Sequence, residues 1–209
     1  MAPRRLGGVE SDPGAVLILA GGEGRRLGGP KAWIDWQGQP LLLVLVHRLA
    51  VLGPLYVVAR QGQQLPPAEY RRVDDRLTGA GPLAGLAAGL DAIASDRPAA
   101  RIAVAACDYP FAEPELFRAL AASDPLADLV LPRWGGHLHP LHGLWRARAG
   151  AICDALLAGG ERRVQAAVDR LGGMIVDADR LTGLDPARSL LNVNDAATLA
   201  RARALAAAP

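Results

Sequence analysis

The chain has 209 residues, enough for one large domain or two small ones with a substantial core, and its 51% hydrophobic and 21% charged content is that of a globular protein. A formal net charge of +2 is too small to make nucleic acid or a membrane surface the main partner, and the arginines behind the pI near 8.8 are scattered rather than clustered. No apolar run approaches the ~18 residues of a membrane span, and the first apolar segment is too short for a secretory signal.

Residues 1–13 read as a loose N-terminal extension and 14–209 as one domain. The first element, Ala15 to Ala20, is six apolar residues that break into Gly21-Gly22-Glu23-Gly24-Arg25-Arg26-Leu27-Gly28-Gly29-Pro30-Lys31, a buried strand feeding a glycine loop. Five glycines within nine positions strip the loop of Cβ atoms, so its backbone reaches φ > 0 and turns successive N–H groups toward an anion. Arg25, Arg26 and Lys31 add positive charge, and a nucleoside triphosphate suits such a turn. Of the 23 basic residues, 22 are arginine, so Lys31 is the sole lysine. A compact ammonium on a flexible stem suits a phosphate whose geometry changes during reaction. Two commoner glycine patterns do not fit. The dinucleotide fingerprint matches Gly22 and Gly24 but meets Leu27 at its third glycine. The G-x-x-x-x-G-K-[ST] loop fits Gly24 and Gly29 until Pro30 intrudes, and Ala32 replaces the hydroxyl.

Beyond the loop, strand and helix alternate. Pro40 to Leu52 reads as a buried helix stopped by Gly53-Pro54, and Leu55 to Ala59 as a strand. Gln61 to Tyr70 is a surface loop, and Arg72-Val73 a strand edge. Helices are expected from Gly81 to about Ala94 and from Glu113 to Ala122, with the strand Ile102 to Ala106 between them. Then come a strand at Leu129 to Leu131, a hairpin or strand pair within Trp134 to Trp145, helices at Ala149 to Ala158 and Val164 to Leu171, a strand at Met174 to Val176, and a helix from Asp195 to Ala207. The alternation predicts a single α/β domain, a mainly parallel sheet covered on both faces, with its ligand beyond the carboxyl ends of the strands.

Asp108 lies at such an end, in Cys107-Asp108-Tyr109-Pro110. A carboxylate facing a triphosphate loop suits Mg²⁺, although Asp-x-Pro is equally turn chemistry, and position alone leaves both readings open. Asp75, six residues before Gly81-Pro82-Leu83-Ala84-Gly85, reads on its own as an exposed loop acid. The last segment sets small residues at a helix start, where a base or phosphate can approach bare amides. His137, His139 and His142 do not read as a transition-metal site, since on a strand His142 faces away from the other two and no cysteine or carboxylate is interleaved. Cys107 and Cys153, far apart and without C-x-x-C spacing, read as reduced thiols, which with the lack of an export signal points to the cytoplasm. Trp33 and Trp36 are expected to cover the core beside the loop.

Leu19-Ala20-Gly21-Gly22-Glu23-Gly24-Arg25-Arg26-Leu27-Gly28-Gly29-Pro30-Lys31 resembles the signature loop of nucleotidyltransferases, and Cys107-Asp108-Tyr109-Pro110 resembles their CD-x-P element. The segment Gly81 to Gly85, Gly160-Glu161-Arg162-Arg163-Val164, Asn192-Val193-Asn194 and His139-Pro140 narrow the resemblance to the molybdenum cofactor guanylyltransferases over about Ala15 to Arg203. The resemblance implies a single-domain, Rossmann-like three-layer fold of the nucleotide-diphospho-sugar transferase kind. It implies transfer of GMP from Mg²⁺-GTP to molybdenum-molybdopterin, with release of pyrophosphate. Leu19, Ala20, Gly21, Gly22, Asp75 and Gly81 would bind the nucleotide, Lys31 and Arg25 would face the phosphates, and Asp108 would hold Mg²⁺. His139, Arg162, Arg163, Asn192 and Asn194 would lie on the acceptor side. Molybdoenzymes or cofactor-delivery proteins are the implied protein partners. The chain departs from the pattern at Asp195-Ala196, where Thr-Pro is usual, and at Ala59-Arg60, where relatives often carry an asparagine in the nucleotide site. That second departure keeps a cytidylyltransferase acting on molybdopterin or another small phosphate acceptor as the alternative. A non-catalytic nucleotide-binding adaptor is the reading outside enzymes, and Lys31 with Asp108 argues against it.

Overall fold

The structure is a computed structural model and describes residues 12–77 and 79–207. The expected N-terminal extension therefore lies outside the described residues up to residue 11; within it, Asp12 accepts a hydrogen bond from Arg118 at 2.8 Å. In chain order the elements are β1 (Ala15–Leu19), β2 (Asp35–Trp36), β3 (Gln39–Pro40), α1 (Leu41–Leu49), β4 (Leu55–Arg60), β5 (Arg71–Asp75), α2 (Pro82–Asp96), β6 (Arg101–Ala106) and α3 (Pro114–Ser123). They continue as β7 (Leu129–Trp134), β8 (His137–Leu138), β9 (His142–Arg146), α4 (Ala149–Ala158), α5 (Val164–Leu171), β10 (Met174–Asp177), α6 (Pro186–Ser189) and α7 (Ala196–Ala207).

The main sheet runs β10-β7-β9-β6-β1-β4-β5, with β8 attached to β7. β1 lies between β4 and β6, parallel to both, and β5 is parallel to β4. β9 is inserted antiparallel between β6 and β7, a placement that periodicity along the chain could not show because pairing partners are chosen in three dimensions. Gly143 allows it: a Cβ there would lie 2.8 Å from the carbonyl oxygen of Val130 on β7. Gly135 and Gly136, both at positive φ, turn β7 back into β8.

Val16 and Ile18 face a core built with α1, α3 and α7, while Ala15 and Leu17 face a second core under α2, α4 and α5. That period of two explains why the central strand is apolar throughout: both its faces are covered. Of the two tryptophans expected over the core, Trp36 is buried against Phe111, but Trp33 is 45% exposed. A 3₁₀ turn at Lys31–Trp33 swings Trp33 outward, where its indole N–H reaches the Gln64 carbonyl. Cys107 and Cys153 are buried free thiols. Among the described residues, no helix is long and apolar enough to cross a membrane.

Candidate active site

The carboxyl ends of β1, β4, β5 and β6 open into one cleft of about 520 Å3 on the α2 side of the sheet. Its wall includes Leu19, Gly21, Gly22, Lys31, Arg60, Asp75, Gly81 and Asp108. These positions span nearly ninety residues of sequence, yet they converge because parallel crossovers bring successive strand ends to the same edge.

The glycine loop is closed by its own backbone. Leu27 and Gly29 donate N–H bonds to the Gly24 carbonyl at 2.7 and 3.3 Å, and the Lys31 N–H reaches the Gly22 carbonyl at 3.3 Å. Gly24 sits at φ 59°, ψ 31°, and a Cβ there would lie 1.9 Å from the Gly29 carbonyl oxygen, so only glycine fits. Ala20 is tied to β4 by its N–H bond to the Val58 carbonyl at 2.8 Å, and its own carbonyl accepts from the Gln63 amide at 2.9 Å. This closure delivers the lysine side chain to the cleft. Its ammonium lies 2.6 Å from Oδ2 of Asp108 and 2.8 Å from Oδ1 of Asn194.

Asp108 is held from both sides. The Cys107 N–H donates to the Leu19 carbonyl at 3.0 Å, continuing the β1–β6 ladder past the strand end, and the Val193 N–H donates to the Asp108 carbonyl at 2.7 Å. The Asn192-Val193-Asn194 turn is thereby fastened to the metal-candidate loop, with Asn194 brought onto Lys31. Asp195 caps α7 through Thr198, whose N–H lies 2.8 Å from its Oδ1, so loss of Thr-Pro leaves the helix start intact. That bond and the Thr198 hydroxyl hold the Asp195 carboxyl below the usual carboxylate range.

Oδ1 of Asp108 is buried and, among the described residues, has no hydrogen-bond partner. An orphaned carboxylate oxygen beside a phosphate-type loop fits a hard divalent cation. Among the described residues no group of three or more His, Cys, Asp or Glu side chains surrounds it. Asp75, across the cleft, accepts the Leu77 N–H on Oδ1 at 3.0 Å, whereas its neighbour Asp74 is turned to Arg72.

Several sequence candidates stand elsewhere. Arg25 is not a wall residue: its side chain is 85% exposed and its guanidinium is taken by Glu23. His139 is buried, with Nδ1 3.0 Å from the Tyr109 hydroxyl, and so backs the Asp108 loop from the core rather than facing the cleft. His142 is wholly buried, stacked on Tyr109 at 4.1 Å, and burial pushes its imidazole down to about 3. His137 lies on β8, and its side chain is exposed, so the three histidines do not converge. Tyr109 is raised above the usual phenol range by burial and then by the Asp108 charge. Arg162 folds its guanidinium onto the Leu157 and Glu161 carbonyls, and its backbone carbonyl approaches Gly81 at the cleft rim. Arg163 is exposed and paired with Glu161, whose carboxyl it brings down to about 2. Asn192 is half-buried within the turn that carries Asn194. Glu23 and Leu141 also line the cleft and Gln63 braces it from the Ala20 carbonyl, though none is expected from the sequence motifs. Only Gln63 left a trace, as a polar residue just past a strand end, and the other two are placed by the fold.

The family model described as a MobA-like NTP transferase domain matches residues 16–172. A probable molybdenum cofactor guanylyltransferase from Mycobacterium marinum is 38% identical over 203 residues, covering 93% of this chain and 96% of that protein. The protein of the same description from Mycobacterium tuberculosis is 39% identical over 194 residues, covering 90% and 92%. Among solved structures, molybdopterin-guanine dinucleotide biosynthesis protein A from Archaeoglobus fulgidus superposes with a TM-score of 0.78 at 25% identity, covering 92% of this chain and 98% of that one. The 2-C-methyl-D-erythritol 4-phosphate cytidylyltransferase from Thermus thermophilus, at 18% identity and a TM-score of 0.68 over 94% and 100%, shares the fold.

Proposed function

Because the chain belongs to the family of MobA-like NTP transferase domains and is a nucleotidyltransferase, we propose that it transfers GMP from GTP to the terminal phosphate of molybdenum-molybdopterin, releasing pyrophosphate. The observation that carries the chemistry is the meeting of Lys31, Asp108 and Asn194 at the mouth of the glycine loop. The base and the acceptor are those that the names of the mycobacterial relatives carry.

The acceptor phosphate is already an anion, so no residue need deprotonate it. It attacks the α-phosphorus in line, the bond to the bridging oxygen breaks, and pyrophosphate leaves with the electron pair. Catalysis is then positioning and charge neutralisation. The backbone of Leu19 to Gly22 lies along the nucleotide, and the Lys31 ammonium neutralises phosphate charge as it builds. Asp108, through its buried Oδ1, would hold Mg²⁺, which when bound supplies further positive charge to the phosphates. Asp75 serves the nucleotide end of the cleft, and the Asn192-Val193-Asn194 turn borders the acceptor end.

Pyrophosphate release, measured on mixing the protein and Mg²⁺ with molybdopterin and GTP, CTP or ATP in turn, tests this. Acceptor-dependent release with GTP is the expected result. Release with CTP in its place makes the protein a cytidylyltransferase, and no release with any triphosphate returns it to a binding role.

A further inference from the structure

The turn that follows Asp108 is pinned carbonyl by carbonyl. The Asp108 carbonyl accepts the Val193 N–H at 2.7 Å, and the Tyr109 carbonyl accepts the Ala112 N–H at 3.0 Å. Among the described residues no backbone donor reaches the third carbonyl, that of Pro110. It is taken instead by Nη1 of Arg48 at 2.6 Å, from a residue 62 positions earlier in the chain. Arg48 stands in the last turn of α1, which packs on the face of the sheet opposite to α2 and the nucleotide cleft.

This arginine is held there against its own electrostatics. It is half-buried, and among the described residues it makes no ion pair. Burial lowers its pKa, the Arg188 guanidinium lowers it further, and Glu113 pulls the other way. Arg188 lies over the ring of Phe111, the next residue of the same turn, at 4.7 Å. A helix C-terminus attracts a cation, but that attraction alone leaves the head group free to stay in water. What the guanidinium gains by leaving water is a charge-assisted bond to a carbonyl two residues from Asp108.

We propose that Arg48 is a positioning residue for the transfer reaction: from the far face of the sheet it fixes the Pro110 carbonyl, and so the direction in which Asp108 presents its carboxylate. It touches neither nucleotide nor metal. The inference rests on the guanylyl-transfer reading and on the part that reading gives to Asp108. A displacement of about 1 Å at a reacting group can cost about 100-fold in rate, so one hydrogen bond at the base of this turn is enough to matter. Beside the contact lies a cavity of about 360 Å3, lined by Arg48, Phe111, Glu113 and Arg188. It gives a small cation a way in once the arginine side chain is removed.

Two readouts on the full chain test this. The first needs no turnover: hydrogen exchange at the Ala112 and Val193 amides, which bond the two carbonyls before that of Pro110. Arg48→Ala should speed exchange at both by about 10-fold, the scale of a lost hydrogen bond to a charged group, and leave the β1 amides as they were. The second is the Mg²⁺ concentration for half-maximal pyrophosphate release, which should rise by about the same 10-fold while KM for GTP at saturating Mg²⁺ holds. Guanidinium chloride at millimolar concentration, too dilute to unfold the chain, should restore both. Urea, which has the shape and not the charge, should restore neither. Arg48→Lys should fall between the two proteins, and it stands in if the alanine variant folds poorly. An unchanged Mg²⁺ requirement overturns the positioning role even where the urea midpoint falls, since a merely structural arginine would move the midpoint alone. No release from the unaltered protein with any triphosphate overturns the transfer reading instead, and the exchange rates then decide by themselves whether Arg48 holds the turn.

Discussion

Lys31 and Asp108, 77 positions apart in the chain, meet at 2.6 Å with side chains only 19% and 13% exposed. The glycine loop on one strand end and the Cys107-Asp108 turn on another are thereby joined before any ligand arrives. Asn194 Oδ1 accepts a second hydrogen bond from the same ammonium and adds the C-terminal turn to the junction.

Removing either charge should therefore disable transfer without unfolding the chain. Lys31→Ala is expected to lower kcat by about 10²- to 10³-fold, the loss typical of one electrostatic stabiliser, and Asp108→Ala by at least as much. Lys31→Arg should fail too, because the stem passes tightly: a Cβ on Gly22 would sit 3.2 Å from Lys31 Cδ, and a guanidinium is broader than the ammonium it replaces. Single-turnover rates at saturating nucleotide and Mg²⁺ check all three. An active Lys31→Arg protein would mean that the charge matters and its shape does not.

Gly24 and Gly28 separate backbone closure from mere looseness. Both have positive φ, but only Gly24 has a backbone oxygen where its Cβ would go. Gly24→Ala should raise KM for the triphosphate at least about tenfold, by the scale of a misplaced binding group. Gly28→Asn, which tolerates the left-handed region and meets open space, should stay near the unaltered value. Equal effects at the two sites would count against loop closure as the cause.

At Gly89 the prediction concerns stability. A Cβ there would fall 2.4 Å from Leu17 Cδ1 and 2.9 Å from Val58 Cγ2, since α2 lies close against β1 and β4. Alanine gains about 1 kcal/mol of helix propensity, but overpacking a closed core costs about 1–3 kcal/mol. The clash should win, and urea unfolding of Gly89→Ala should show a lowered midpoint with unchanged slope.

Acid should loosen the core at His142. Its folded pKa is pushed down to about 3 by burial, with His139 adding to the shift, while the unfolded chain titrates near 6.5. Between those values the unfolded state binds more protons, so the contribution is whole above about 6.5 and declines as pH falls toward 3. The slope is about 1.4 kcal/mol per pH unit, or about 2 kcal/mol from pH 6.5 to 5. Burial lowers His139 as well, in the same direction. Urea midpoints measured across pH 5–7 should slope for the unaltered protein and flatten in His142→Phe, whose ring keeps the stack on Tyr109 and Phe117.

What the sequence determined by itself is local. Six apolar residues running into five glycines dictate a buried strand and a phosphate-type loop, and the lone lysine marks where the loop ends. Strand and helix alternation gives the layered α/β class, because both depend on spacing along the chain. Only the tertiary structure decided which distant groups share the cleft. It turned Asp75 and not Asp74 inward, sent Arg25 to Glu23, buried His139 behind Tyr109, and inserted β9 antiparallel beside β6. Those outcomes follow from strand register and from which backbone surfaces meet, and a side chain's neighbours across a sheet are set by pairing partners that no local pattern contains.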